Sequence, residues 1–114
     1  MPSRPFRPVR FAVLLLAAAA ATPARADDMP VIKVEMRDGV ILPAVIEVPA
    51  NTRFKLEISN TGQSPVEFES TELKREKALA AGSTSAIVFR TLDAGTYQVF
   101  DDFHPEAKAT LVAK

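Results

Sequence analysis

The chain has 114 residues, no cysteine, one histidine, and 14 Lys plus Arg against 14 Asp plus Glu. Without cysteine there is no disulfide, no thiolate nucleophile and no sulfur-rich metal site, so a metal held here binds through oxygen and nitrogen. Four of the arginines and none of the acids fall in residues 1–26, so the other 88 residues carry 10 basic and 14 acidic groups, a net charge of −4, which argues against nucleic acid or an anionic membrane surface as partner.

Arg4, Arg7 and Arg10 precede an apolar run of 11 residues from Phe11 to Ala21, and Ala24-Arg25-Ala26 sets small residues at the two positions a signal peptidase reads. The run falls short of the roughly 20 residues that span a bilayer. The pattern predicts an export signal over 1–26 and one domain over 27–114, delivered to the periplasm with Asp27 at its start.

From residue 30 onward the apolar positions alternate with period two, and turn residues interrupt them every eight to twelve positions. Ile32, Val34 and Met36 share one face of a first strand, which stops at Arg37-Asp38-Gly39. Pro43 to Pro49 holds Val45, Ile46 and Val48, and its prolines suit an edge strand or strand ends. Phe54, Leu56 and Ile58 alternate with Arg53, Lys55 and Glu57. Asn60 to Pro65 is a turn cluster, and Val66 to Ser70 a short strand.

Thr71 to Lys77 is charged without alternation and reads as a solvated loop before it reads as a helical turn. Ser83 to Phe89, Thr96 to Phe100 and Lys108 to Val112 complete the strands. No stretch carries a helical stripe. The expected fold is an all-β sandwich of seven or eight strands, with Phe54, Leu56, Ile58, Phe68, Tyr97 and Val99 in its core.

The strand from Gly95 runs into Asp101-Asp102-Phe103-His104-Pro105, which holds the only histidine. A carboxylate and an imidazole leaving one strand end can address one metal ion, and Pro105 restricts the turn. Asp102 reads as a solvated loop residue before it reads as a third ligand. Glu67 and Glu69 flank Phe68, so both carboxylates share the face opposite to the aromatic ring. They either form a solvated strand face or complete an oxygen-rich site with Asp101 and His104. Met36 continues the apolar face of Ile32 and Val34 and reads as core before it reads as a ligand. Lys74 to Lys77 reads as a solvated charge run. No serine sits in a nucleophile motif and no Gly-rich phosphate loop is present.

The Asn60-Thr61-Gly62 turn, the strand Val66-Glu67-Phe68-Glu69, the turn at Gly82 and Leu92-Asp93-Ala94-Gly95-Thr96-Tyr97 together resemble a cupredoxin, over about Val31 to Lys114. The resemblance implies a Greek-key β-sandwich. In blue-copper members the last-but-one strand ends in cysteine, a histidine follows after two residues and a methionine later. Here Asp101 stands at the cysteine and His104 at the histidine. No methionine follows, and the earlier copper histidine falls near Val66 or Glu67. A copper–thiolate centre is therefore ruled out.

The pattern is closer to the cupredoxin-like family of the EfeO type, small periplasmic components of bacterial iron uptake. That resemblance implies binding of iron (Fe2+ or Fe3+), with its oxidation as a further step. It implies an inner-membrane iron permease and other periplasmic components of the same system as partners. Carboxylates with one imidazole suit iron, manganese or Cu2+. A copper-binding or copper-delivery protein, and a metal-free interaction module, are the alternatives on the same fold.

Overall fold

The computed structural model describes residues 2–6, 8, 9, 12 and 29–114. Apart from those few N-terminal positions, the expected export signal lies outside the described residues. Nine strands are present among the described residues: β1 (Val31–Arg37), β2 (Val40–Leu42), β3 (Val45–Val48), β4 (Phe54–Asn60), β5 (Val66–Ser70), β6 (Arg75–Leu79), β7 (Thr84–Phe89), β8 (Gly95–Asp101) and β9 (His104–Ala113). They form a four-stranded sheet in the order β2-β1-β4-β7 and a five-stranded sheet in the order β3-β9-β8-β5-β6. The all-β sandwich expected from the alternation is the observed fold.

The core lies between the sheets. Val34, Met36, Phe54, Leu56 and Ile58 enter it from one side, and Ile46, Phe68, Val99 and Leu111 from the other, all of them buried. Tyr97 packs against this cluster while partly exposed, and its hydroxyl donates to the carbonyl of Asp93 at 2.8 Å. Phe54 stacks on Phe89 with ring centroids 5.0 Å apart. The Arg75 guanidinium sits 4.9 Å from the Phe89 ring centroid and donates to the Val88 carbonyl at 3.0 Å. One side chain thus fastens β6 of one sheet to β7 of the other.

The chain crosses between sheets after β2, which makes β1 pair parallel with β4 and β3 parallel with β9. β3 is an edge strand, as its prolines suggested. Ala44 and Val48 direct their carbonyls to β9, accepting from Thr110 and Lys114 at 2.9 and 3.1 Å. Residues 43, 45, 47 and 49 therefore face the open edge. Two of these are prolines, so the edge lacks donors at both ends, which blunts it against pairing with another chain.

Three stretches differ from the expectation. The turn expected at Arg37-Asp38-Gly39 is present, with Asp38 and Gly39 at positive φ (35° and 90°), but it closes a hairpin whose second arm, the short strand β2, was not expected. This is the Asp-Gly form of a two-residue turn, and a three-residue strand is too short to show alternation. The charged stretch expected to be a loop turns at Thr71–Lys74 and continues as β6. Only Leu79 of that strand is buried, because an edge strand of hydrophilic residues is held by its ladder and not by an apolar face. Finally, β9 begins at His104, four residues before the expected start at Lys108, so Asp102 and Phe103 alone make the β8–β9 turn.

Candidate functional site

Phe68 pairs with Asp101, and Glu69 with Phe100, across β5 and β8. Opposed residues share a face, so Asp101 points inward with Phe68, whereas Glu67 and Glu69 point outward. The four residues expected to form one site are consequently divided between two faces of the same sheet. Met36 is fully buried in the other sheet's share of the core.

On the inner side, Asp101 is 1% exposed, and every bond its carboxylate makes is within the protein. Oδ1 accepts from the amides of Glu67 and Phe103 at 2.9 and 3.0 Å, and Oδ2 lies 2.9 Å from His104 Nδ1. These three contacts satisfy a carboxylate that would otherwise be costly to bury. A register shift between Phe100 and Asp101 re-aims the strand end and lets Asp101 and His104 face each other across the two-residue turn.

The second ring nitrogen of His104 is also engaged: Nε2 is 3.3 Å from Ser64 Oγ. Ser64 in turn donates its hydroxyl proton to Asp38 Oδ1 at 2.9 Å, and the Gln63 amide donates to the same carboxylate. These bonds, the Ser64 hydroxyl first, hold the Asp38 carboxyl below its usual range. Gly62 makes the approach possible, since a Cβ there would lie 2.8 Å from the Asp38 oxygens. One chain of side chains thus runs from the β1–β2 turn through the 61–64 loop to the β8–β9 turn. Asn60, 1% exposed, braces the same loop by donating to the carbonyls of Ser64 and Leu79 and accepting from Gly62.

On the outer face, Glu69 stands directly opposite Glu76 of β6. Glu67, Glu69 and Glu76 each offer a carboxylate oxygen, and these oxygens lie within 4.8 Å of one another. Partial burial, then the charges of Asp102, Glu76 and Glu69, raise the Glu67 carboxyl above its usual value. Burial, Asp102 and Glu76 do the same for Glu69. Asp102 is brought there by its amide, which donates to the Glu67 carbonyl at 2.9 Å. The face is therefore a set of acids that repel one another and gain from a cation.

Glu76 was not singled out as a site residue in the sequence. A signal existed nonetheless. Once Thr71–Lys74 is read as a four-residue hairpin turn, Glu76 falls opposite Glu69 by counting outward from it. Ser64 and Asp38 carry no such signal, because their contact with His104 depends on how three loops meet at one end of the sandwich.

Comparison with known proteins agrees with this architecture. Residues 10–113 match the family model of the cupredoxin-like domain. An uncharacterized protein of Rickettsia prowazekii (strain Madrid E) is 34% identical over 80 residues, or 70% of this chain, and the chain spans 64% of that relative's length. Among solved structures, the metal binding domain of the Cu(I) exporting P-type ATPase CopA of Streptococcus pneumoniae D39 superposes with a TM-score of 0.67. It is 12% identical, over 80% of this chain and 91% of that one. A purple cupredoxin from Nitrosopumilus maritimus gives a TM-score of 0.57 at 16% identity, over 72% and 98%. At these identities the structural likeness speaks for the fold alone.

Proposed function

This chain belongs to the cupredoxin-like domain family, and from that premise we propose that it is a periplasmic metal-binding protein of high-affinity iron uptake. It holds iron on the outer face of the five-stranded sheet through Glu67, Glu69 and Glu76, and works beside an inner-membrane iron permease. The observation that carries this reading is the Glu69–Glu76 pair, with Glu67 beside it. Like charges directly opposed across strands destabilise a sheet. Three acids gathered at that cost, with their oxygens converging, suit a ligand that repays it.

The ligand chemistry favours iron over Cu(I). Anionic oxygen suits hard cations, and no sulfur stands by for Cu(I). A set of carboxylates gains more from Fe(III) than from Fe(II), because each interaction scales with the charge of the ion. Ferrous iron held here is easier to oxidise, and ferric iron is the form held more firmly for hand-over.

Anaerobic calorimetry of the purified 27–114 protein with Fe(II), Mn(II) and Cu(II) tests the reading. One Fe(II) or Mn(II) is expected to bind per chain, and Glu67→Gln, Glu69→Gln and Glu76→Gln should each weaken it by about tenfold or more. Unchanged affinity in all three variants would remove the acidic face from the metal's path. Tight Cu(II) binding together with no Fe(II) or Mn(II) binding would favour copper delivery, and binding of none of them an interaction module.

A further inference from the structure

The family to which this chain belongs implies copper at the strand-end position that Asp101 and His104 now occupy, and the residues present do not fit it. Asp101 replaces the thiolate and is committed, through Oδ1, to the amides of Glu67 and Phe103. Its remaining oxygen faces His104 Nδ1 at 2.9 Å, while Nε2 lies against Ser64. Of Val66 and Glu67, near the place of the earlier copper histidine, Val66 is fully buried and apolar and Glu67 faces the other side of the sheet. Among the described residues, the one group of three convergent metal-ligating side chains is Glu67, Glu69 and Glu76, on the other face.

We propose that this end of the sandwich is a metal-free hydrogen-bonded lock, in which His104 and Asp101 act as positioning residues for Glu67 and not as ligands. The register explains how. β5 and β8 pair through two residue pairs only, Phe68 with Asp101 and Glu69 with Phe100. At the next rung Asp102 still donates its amide to the Glu67 carbonyl, but the Glu67 amide turns to the Asp101 side chain instead of a backbone carbonyl. The Asp101 carboxylate therefore supplies the last rung of the ladder. His104 holds that carboxylate in place from its far side, and Ser64 with Asp38 holds His104.

Both backbone groups of Glu67 are thus fixed by Asp101 and Asp102 at the end of β8, and its side chain is delivered to the acidic face from a rigid base. Removing the partner that orients a ligand typically lowers metal affinity about 10- to 100-fold without changing stoichiometry.

That the position holds no metal stands on its own geometry; the effect on affinity rests on the acidic-face reading above. The two are separated by spectroscopy and by conservative substitution on the 27–114 protein. In the parent loaded with one Cu(II), pulsed electron paramagnetic resonance is expected to show no imidazole nitrogen coupling. The Glu67 amide should exchange with deuterium slowly in the parent and in Asp101→Asn, whose side-chain oxygen still accepts from it, and fast in Asp101→Ala. Mn(II) affinity should fall about tenfold or more in Asp101→Ala and His104→Ala at unchanged stoichiometry, and stay near the parent's in Asp101→Asn.

An imidazole coupling that disappears in His104→Ala would make His104 a ligand and overturn the lock, as would Asp101→Asn losing metal as completely as Asp101→Ala. If Glu67→Gln, Glu69→Gln and Glu76→Gln leave Mn(II) binding intact, the acidic-face reading fails and the positioning role with it. A missing imidazole coupling and the slow Glu67 amide would still support the metal-free lock. Should Asp101→Ala fail to fold, Asp101→Asn and His104→Ala carry the comparison.

Discussion

Glu69 and Glu76 occupy the two sides of one cross-strand pair, where opposite charges or an aromatic pair would support the edge strand and two carboxylates work against it. Changing either to glutamine removes the repulsion and leaves the backbone ladder as it is. Glu76→Gln should therefore raise the midpoint of urea unfolding of the metal-free protein while lowering its metal affinity. A substitution that stabilises and disables together marks a residue kept for function. A lower midpoint would show that Glu76 is held by contacts that outweigh the repulsion. The sequence displayed the Glu67 and Glu69 half of this face directly, through the spacing around Phe68. It displayed Asp101 and His104 too, but not that the inward turn of Asp101 separates them from those glutamates, since that depends on the strand register.

The strands with a buried face were legible from alternation: β1, β4, β5, β7 and β8 all fall where apolar residues recur every second position. The short or largely exposed strands were not. β2 is three residues long, and β6 buries only its last side chain, so neither writes a period-two pattern into the sequence. For β6, Arg75 compensates by reaching across to β7, over the Phe89 ring and onto the Val88 carbonyl. Arg75→Ala removes a cation–π contact and a hydrogen bond, and should cost about 1 to 2 kcal/mol in chemical denaturation. Arg75→Lys should recover less than half of that, because an ammonium keeps the charge but not the planar fork that serves both partners. Full recovery by lysine would assign the fastening to charge alone. β6 also carries Glu76, so loosening it should weaken metal binding in the same variant.

For the whole domain, the carboxylates of the acidic face and that of the β1–β2 turn pull its acid response in opposite directions. Glu67 and Glu69 have carboxyls raised by partial burial and neighbouring acids, so the folded protein holds their protons more tightly than the unfolded chain does. Their effect favours folding at low pH, and the advantage is lost as pH rises from the ordinary glutamate range through the raised values. Asp38 has a lowered carboxyl, held by Ser64 and Gln63, so its contribution is present above the ordinary aspartate range and is lost as pH falls through the lowered value. In the metal-free protein the contribution of Glu67 and Glu69 should accordingly fall on the way to neutrality, while that of Asp38 falls in acid. A bound cation reverses the first of these, because it requires the same glutamates ionised. The rise in melting temperature given by a fixed excess of Mn(II) should therefore be small at about pH 4 and grow towards pH 7. In Glu67→Gln/Glu69→Gln both the loss in the metal-free protein and the gain from Mn(II) should flatten together. A gain that is already full at pH 4, or that survives in the double variant, would place the ion away from these two carboxylates, on groups that titrate lower.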